Sequence, residues 1–375
     1  MTHYFSGRPT VMTVDLAALR HNLAAIRARV GHAKIMATVK ANAYGHGMLK
    51  CAETLQNAGV DAFGVALAEE GITLRQAGIR VPILVYGGLH AEQIEDYLTH
   101  DLDITAPSLE KIQAIDAAAM KLKKRARVHL KIDTGLGRIG VQHDRLPRFA
   151  DGILACKNLD IIGVYSHLAT AEDPDKTFAE LQIQRFQASL DYLHQRGISW
   201  QTAHIANSGT VLNLPKSYFD MVRPGLSLYG VAPARHLENV LPLRPVMNLK
   251  STVVYFKAVN AGQGISYGQT WHAHEPTRIV TLPIGYGDGI LRAMSGCGEV
   301  LIRGVRHPMV GNICMDQLMV DIGPAGEAYN GDEVIIIGKQ GTQSITVLDL
   351  AKAANTVPHE ALTALNQRVP RIYQS

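Results

Sequence analysis

Lys40 closes an apolar run, Lys34-Ile35-Met36-Ala37-Thr38-Val39, and a glycine-bounded loop, Ala41-Asn42-Ala43-Tyr44-Gly45-His46-Gly47, comes directly after it. A lysine at the end of a buried strand loses solvation, and burial lowers its pKa toward that of a nucleophilic amine. Position alone equally allows a stem that snorkels to water. Two other segments carry groups suited to phosphate. Ala206-Asn207-Ser208-Gly209-Thr210 offers small residues, a hydroxyl and backbone N–H groups opening a helical turn; Arg223-Pro224-Gly225-Leu226 is the second. Asn-Ser-Gly is also an ordinary N-cap turn, so neither segment is specific alone. Lys131 and Asp133 stand two apart on a strand and so point to one face.

The elements that must position these groups alternate in the first two-thirds of the chain. Leu16, Leu19, Leu23, Ile26 and Val30 form a helical stripe over 15–30, and the stretch from Met48 to Leu55 reads as a second helix. Strands are expected over 35–40, 62–66, 81–86, 102–105, 127–133, 161–167, 202–206 and 221–223. Eight such units within about 230 residues predict a (β/α)8 TIM-type barrel rather than an open doubly wound sheet, and no GxGxxG opens a helix after the first strand. Beyond Pro242-Leu243-Arg244-Pro245 the texture changes. Strands are expected over 246–259, 277–284, 299–305, 309–322 and 333–337, with one helix near 347–354. The domains are therefore expected as a barrel over 1–240 and a mainly β domain over 241–375, with room for the extreme N-terminus to pack on the second.

In such a barrel the working residues sit at the C-terminal strand ends, and the loops after strands seven and eight often hold phosphate. Closure sets strand eight beside strand one, so Lys40 is expected next to Arg223 and close to both phosphate loops. A lysine nucleophile within a small molecule's length of a phosphate site suggests pyridoxal phosphate held as a Schiff base.

Composition narrows the remaining classes. The 375 residues are 47% hydrophobic and 19% charged, an ordinary globular balance with ample core. The net charge of +4 is mild, and the densest basic stretch, 121–127, reads as a solvated helix end, so no nucleic-acid partner is expected. No signal peptide is read at the N-terminus and no apolar run approaches the roughly 18 residues of a membrane span. Cys51, Cys156, Cys297 and Cys314 are scattered without metal spacing, which fits a reducing compartment, the cytoplasm by default, and no structural metal.

The motifs VKANAYGHG (39–47), KIDTGLGRIG (131–140), HIANSGT (204–210), VRPGLSLYG (222–230), Ser266-Tyr267-Gly268, GYGDG (285–289) and Cys314-Met315-Asp316-Gln317 together resemble the bacterial alanine racemases, in order and over nearly the whole chain. The resemblance implies interconversion of L- and D-alanine on pyridoxal phosphate, supplying D-alanine for cell-wall peptidoglycan, in a homodimer whose active sites lie at the subunit interface. Lys40 would form the Schiff base and act as one catalytic base. Tyr267 would be the other, supplied by a second subunit. Inverting a stereocentre calls for an acceptor on one face and a donor on the opposite face. A free tyrosine titrates near about 10, so a cation must help it.

By the same resemblance Arg223 faces the pyridine nitrogen, which a donor-only guanidinium leaves unprotonated, and His167 hydrogen-bonds Arg223. Tyr44, Asn207, Ser208, Gly225 and Leu226 would bind the cofactor, largely at its phosphate. Arg138, Met315 and Asp316 would meet the substrate carboxylate, Tyr286 and Arg292 would line an access corridor, and Lys131 would be carbamylated, an anion orienting Arg138. The chain departs from the commonest pattern twice: His359 stands where a tyrosine near the phosphate is usual, and Asn312 where a corridor arginine is usual. A roomier polar pocket at His359 would admit L-serine, so a serine or broader amino-acid racemase is the alternative reading. A decarboxylase on a related fold is disfavoured by the Tyr267 turn, and a barrel-only cofactor carrier by the β domain.

Overall fold

Residues 7–375 are described by the computed structural model. They fall into two compact units, one of residues 19–43 and 48–243, the other of residues 7–18, 44–47 and 244–375.

In the first unit, eight parallel strands run Met221–Val222, Lys34–Thr38, Ala62–Val65, Ile83–Val85, Asp103–Ala106, Ala126–Asp133, Leu159–Tyr165 and Thr202–His204 in spatial order. The Asp220 N–H donates to the Ala203 carbonyl at 3.1 Å and the Arg223 N–H to Ala206 at 3.0 Å, linking the last strand back to the first of this order. The expected (β/α)8 barrel is therefore what forms. Its strands are covered on both faces, and Ala62–Val65 and Ile83–Val85 are buried at every position, the near-continuous apolar reading of parallel strands.

Several strands end earlier than the sequence suggests. The first stops at Thr38 rather than Lys40, the sixth at Tyr165 rather than His167, the seventh at His204 and the eighth at Val222. The residues beyond leave the ladder to build loops at the C-terminal mouth. The helix Leu16–Val30 buries Leu19, Leu23, Ile26 and Val30, and the Asp15 carboxylate caps it by accepting from the Ala18 N–H at 2.8 Å. The basic stretch lies just past the helix Leu109–Lys121, and its arginines are neutralised: Arg125 pairs with Asp160, and Arg127 with Asp101 and Asp103.

The second unit is one large sheet in the order Tyr255–Val259, Thr277–Leu282, Leu318–Asp321, Val305–Val310, Glu299–Ile302, Glu333–Gln340, Met247–Thr252, Val11–Asp15 and Arg371–Gln374. Only the last pair is parallel. Three expectations are corrected here. The span 246–259 breaks into two strands at Val253-Val254, and 309–322 is two strands separated by a loop over 311–317. Gly311 turns the chain out of the sheet at φ +68°, where an added Cβ would stand 2.6 Å from the Ile265 carbonyl oxygen. A second helix, Pro358–Thr363, comes after Val347–Ala353; its six residues are too few for a periodic signal, and Pro358 occupies the first turn, where a missing N–H costs nothing. No helix among the described residues is long and apolar enough to cross a membrane.

Candidate active site

In the barrel unit, Lys40 lies just past the first strand, partly buried. Burial lowers the pKa of its amine, the Arg138 cation lowers it further, and Glu70 acts in the opposite sense. The next four residues are unusual: Ala41, Asn42, Ala43 and Tyr44 have φ between 51° and 55°, one turn of left-handed helix without a glycine. Each such residue costs about 1–2 kcal/mol, so tertiary contacts must hold the turn. The Glu70 carboxylate does so from the helix Ala68–Gln76, accepting from the N–H groups of Ala41 at 2.6 Å, Ala66 at 2.8 Å and Leu67 at 3.2 Å. The Asn42 side chain accepts from the Met48 N–H at 2.9 Å and so starts the helix Met48–Asn57.

Arg223, 5% exposed, sits beyond the eighth strand and donates to His204 Nδ1 and the Ser166 carbonyl, both at 2.7 Å, and to His167 Nδ1 and the Ile205 carbonyl, both at 3.2 Å. His167 is pushed well below the ordinary imidazole pKa by burial and then by the cations Arg223, Lys131 and Arg138. The Tyr165 ring carries cations at 4.5 Å (Lys131 Nζ) and 5.3 Å (Arg223 Cζ). Lys131, 3% exposed, is driven well below the usual amine pKa by burial, Arg223 and Arg138, with Asp133 opposing. Asp133 turns outward into the loop and accepts from the N–H groups of Gly135 and Gly137, while Arg138 stands exposed in that loop.

At the seventh strand end, Asn207 caps the short helix Ser208–Asn213 by accepting from the Thr210 N–H, which leaves the N–H groups of Ser208 and Gly209 outside the helical ladder. The Ser208 hydroxyl accepts from the N–H groups of Gly225 at 2.8 Å and Ser227 at 3.3 Å, tying the two predicted phosphate segments, and with them Leu226, into one cradle of donors. An amine, a donor cradle and a buried guanidinium on three neighbouring strands form a donor set that fits an anionic carbonyl compound such as pyridoxal phosphate.

The second unit groups a different set. Tyr267, 74% exposed, tips a turn in which Ser266 and Gly268 have φ of 69° and 71°. Asn312 holds that turn, donating from Nδ2 to the Tyr267 carbonyl at 2.7 Å while its own carbonyl accepts from the Ser266 hydroxyl. Tyr267, Met315 and Asp316 line one open hollow of about 480 Å³ with Ser266, Cys314 and Gln317. The turn at Tyr286 braces the same loop: the N–H groups of Tyr286 and Gly287 donate to the carbonyls of Cys314 and Met315 at 3.0 and 2.8 Å. Beneath it the fully buried Asp288 pairs with Arg8 at 2.6 Å and Arg368 at 3.1 Å, and Arg368 also pairs with Asp316 at 2.6 Å. Arg292 is exposed in the next turn, and the His359 ring lies 5.8 Å from that of Tyr44.

Glu70, Tyr165, His204 and Asp288 are not singled out by sequence reasoning. His204 opens the HIANSGT motif and Asp288 stands in GYGDG, so motif membership was a signal for these two. Tyr165 has none beyond its strand-end position, and Glu70, in the first turn of the helix Ala68–Gln76, has none.

Comparison with known proteins supplies the relationship. Residues 14–233 match the family model for the alanine racemase N-terminal domain, and residues 246–373 the model for its C-terminal domain. Alanine racemase 2 of Caldanaerobacter subterraneus subsp. tengcongensis is 42% identical over 98% of this chain and 95% of its own length. The alanine racemase of Carboxydothermus hydrogenoformans is 41% identical over 98% and 100%. Among solved structures, alanine racemase from Streptomyces lavendulae superposes with a TM-score of 0.95 at 37% identity, covering 99% of this chain and 98% of that one. The Bacillus anthracis enzyme with bound L-Ala-P gives 0.92 at 33% identity, over 98% and 96%. With both family domains matched and relatives above 40% identity end to end, this chain belongs to the alanine racemase family.

Proposed function

We propose that this chain is an isomerase that interconverts L- and D-alanine with pyridoxal phosphate, using Lys40 and Tyr267 as bases on opposite faces of Cα, and supplies D-alanine for peptidoglycan. The observation that carries the reading is the pairing of a partly buried, pKa-lowered lysine with Arg223, a buried cation that can only donate, on adjoining strand ends. When bound, pyridoxal phosphate withdraws electrons from Cα and makes its hydrogen removable by side-chain bases.

Lys40 would hold the cofactor covalently, and Ser208, Gly225, Leu226, Asn207, Tyr44 and His359 its phosphate end. Arg223, steadied by His167, would face the ring nitrogen and donate to it without protonating it. Arg138 would bind the substrate carboxylate together with Met315 and Asp316 of a second copy of the chain, which would also supply Tyr267. Tyr286, Arg292 and Asn312 would line the route in. Burial and the neighbouring cations lower the proton affinity of Lys131 and favour the neutral amine, the form that takes up carbon dioxide with loss of one proton, so a carbamate there would set an anion near Arg138.

Tyr267→Phe tests the second base: the bound cofactor's absorbance should be unchanged while racemisation is lost, and retained racemisation removes Tyr267 from that role. Mixing Lys40→Ala chains with Tyr267→Phe chains tests the shared site. Mixed dimers regain racemisation if the two residues act across copies and stay inactive if they act within one.

A further inference from the structure

Behind Arg223 a line of polar side chains runs through the barrel interior. Arg223 donates to His204 Nδ1 at 2.7 Å, His204 Nε2 lies 2.9 Å from His129 Nδ1, and His129 Nε2 lies 3.4 Å from Asp103 Oδ2. Asp103, His129 and His204 are all buried, and Arg127 pairs with Asp103 at the far end. The two histidines sit on strands separated by the strand Leu159–Tyr165, and they meet because that strand carries Gly163 between them. An added Cβ there would stand 2.4 Å from His129 Nδ1. Tyr165 fixes the ring planes, stacked on His204 at 5.0 Å and 8° and edge-on to His129 at 6.4 Å and 79°.

We propose that Asp103, His129 and His204 are positioning residues for Arg223, forming a tether with one fixed proton order: both histidines neutral, each protonated on Nε2. Donor chemistry dictates the order. A guanidinium has five donors and no acceptor, so His204 Nδ1 must be bare to receive it. The single proton of a neutral His204 then sits on Nε2 and is donated to His129, whose Nδ1 must in turn be bare. The His129 proton is left on Nε2, which approaches the Asp103 carboxylate at 3.4 Å without forming a hydrogen bond to it. A cationic His204 would set an N–H against Arg223, and a cationic His129 would set one N–H against another. Burial, then Arg223, His129 and Lys131, push the His204 pKa well below the ordinary value, in the same direction.

The consequence for turnover rests on the reading that Arg223 faces the cofactor's ring nitrogen. A neutral His204 held by His129 offers Arg223 an acceptor and no proton, so the guanidinium is held in one orientation and no protonation route reaches the ring from behind it.

Neutron diffraction from deuterium-exchanged crystals of the full chain reads the order directly. Deuterium is expected on Nε2 and absent from Nδ1 of both His129 and His204; deuterium on Nδ1 of either ring overturns the tether. That readout needs no turnover, so its failure leaves the racemase reading standing. In the holoenzyme, His129→Leu removes the acceptor and His129→Asn replaces it with Oδ1. His129→Leu should lose about tenfold to a hundredfold in kcat, with KM within about twofold and the bound cofactor's absorbance shifted, and His129→Asn should recover most of the loss. Equal losses in the two variants, or none in either, would contradict the proposal.

Discussion

Removing Glu70 should loosen the left-handed turn that comes after Lys40. Four consecutive residues at φ 51–55° cost about 1–2 kcal/mol each, roughly 4–8 kcal/mol in all. Against this stand the Ala43 N–H to Val39 carbonyl bond at 2.8 Å, the Asn42–Met48 bond at 2.9 Å and the Glu70 carboxylate with its three N–H donors. A hydrogen bond to a charged group contributes about 1.5–3 kcal/mol, and water replaces part of it at a half-exposed site, so Glu70→Ala should destabilise the apoprotein by about 2–3 kcal/mol. Ala41→Gly makes the converse test. It relieves about 1–2 kcal/mol of left-handed strain and costs about 0.5–1 kcal/mol in unfolded-chain entropy, so it should be neutral or stabilising by up to about 1.5 kcal/mol. In an ordinary helix the same change costs about 1 kcal/mol. Urea unfolding midpoints at unchanged slope read both, and Ala41→Gly placed in the Glu70→Ala chain should recover part of the loss. Glu70→Ala within about 0.5 kcal/mol of wild type, together with Ala41→Gly at the ordinary helix cost, would refute the reasoning.

Asn312→Ala removes the bond to the Tyr267 carbonyl, worth about 1 kcal/mol, so kcat should fall by up to about fivefold with the bound cofactor's spectrum unchanged; an altered spectrum with normal kcat would contradict this. Lys131 supplies a pH test on the unmodified apoprotein. Its folded-state pKa lies below the unfolded value of 10.5, so between the two the unfolded chain holds the extra proton and stability rises with pH. Lys131→Met should lose that rise; parallel profiles for the two proteins would show that the buried amine keeps its ordinary pKa. Asp288→Ala removes a buried carboxylate that pairs with the partly exposed Arg8 and Arg368 and accepts from the Gly285 N–H, and should cost about 1–3 kcal/mol. An unaltered melting temperature would remove Asp288 as the brace under Met315 and Asp316.

The barrel was legible because parallel strands covered on both faces read as short apolar runs at regular spacing, and Lys40, Ser208 and Arg223 could be set at its mouth from their places after those runs. The left-handed turn was not legible. Neither alanine nor tyrosine announces positive φ, and the group that sustains it, Glu70, lies on another helix. The Asp103–His129–His204 line was equally hidden, since His129 and His204 lie 75 residues apart and meet only through barrel register and a glycine between them. The loop over 311–317 reads as strand because Met309, Ile313 and Met315 fall on a period-two apolar pattern, which only Gly311 and Gln317 interrupt.

The central claim, two bases on opposite faces of Cα, is tested most directly by solvent-hydrogen exchange in Tyr267→Phe. Incubated in deuterium oxide with each alanine enantiomer, this variant should lose racemisation yet still exchange the Cα hydrogen of one enantiomer, the one whose proton Lys40 reaches. Exchange of both enantiomers at equal rates, or racemisation within about tenfold of wild type, would contradict the two-base account.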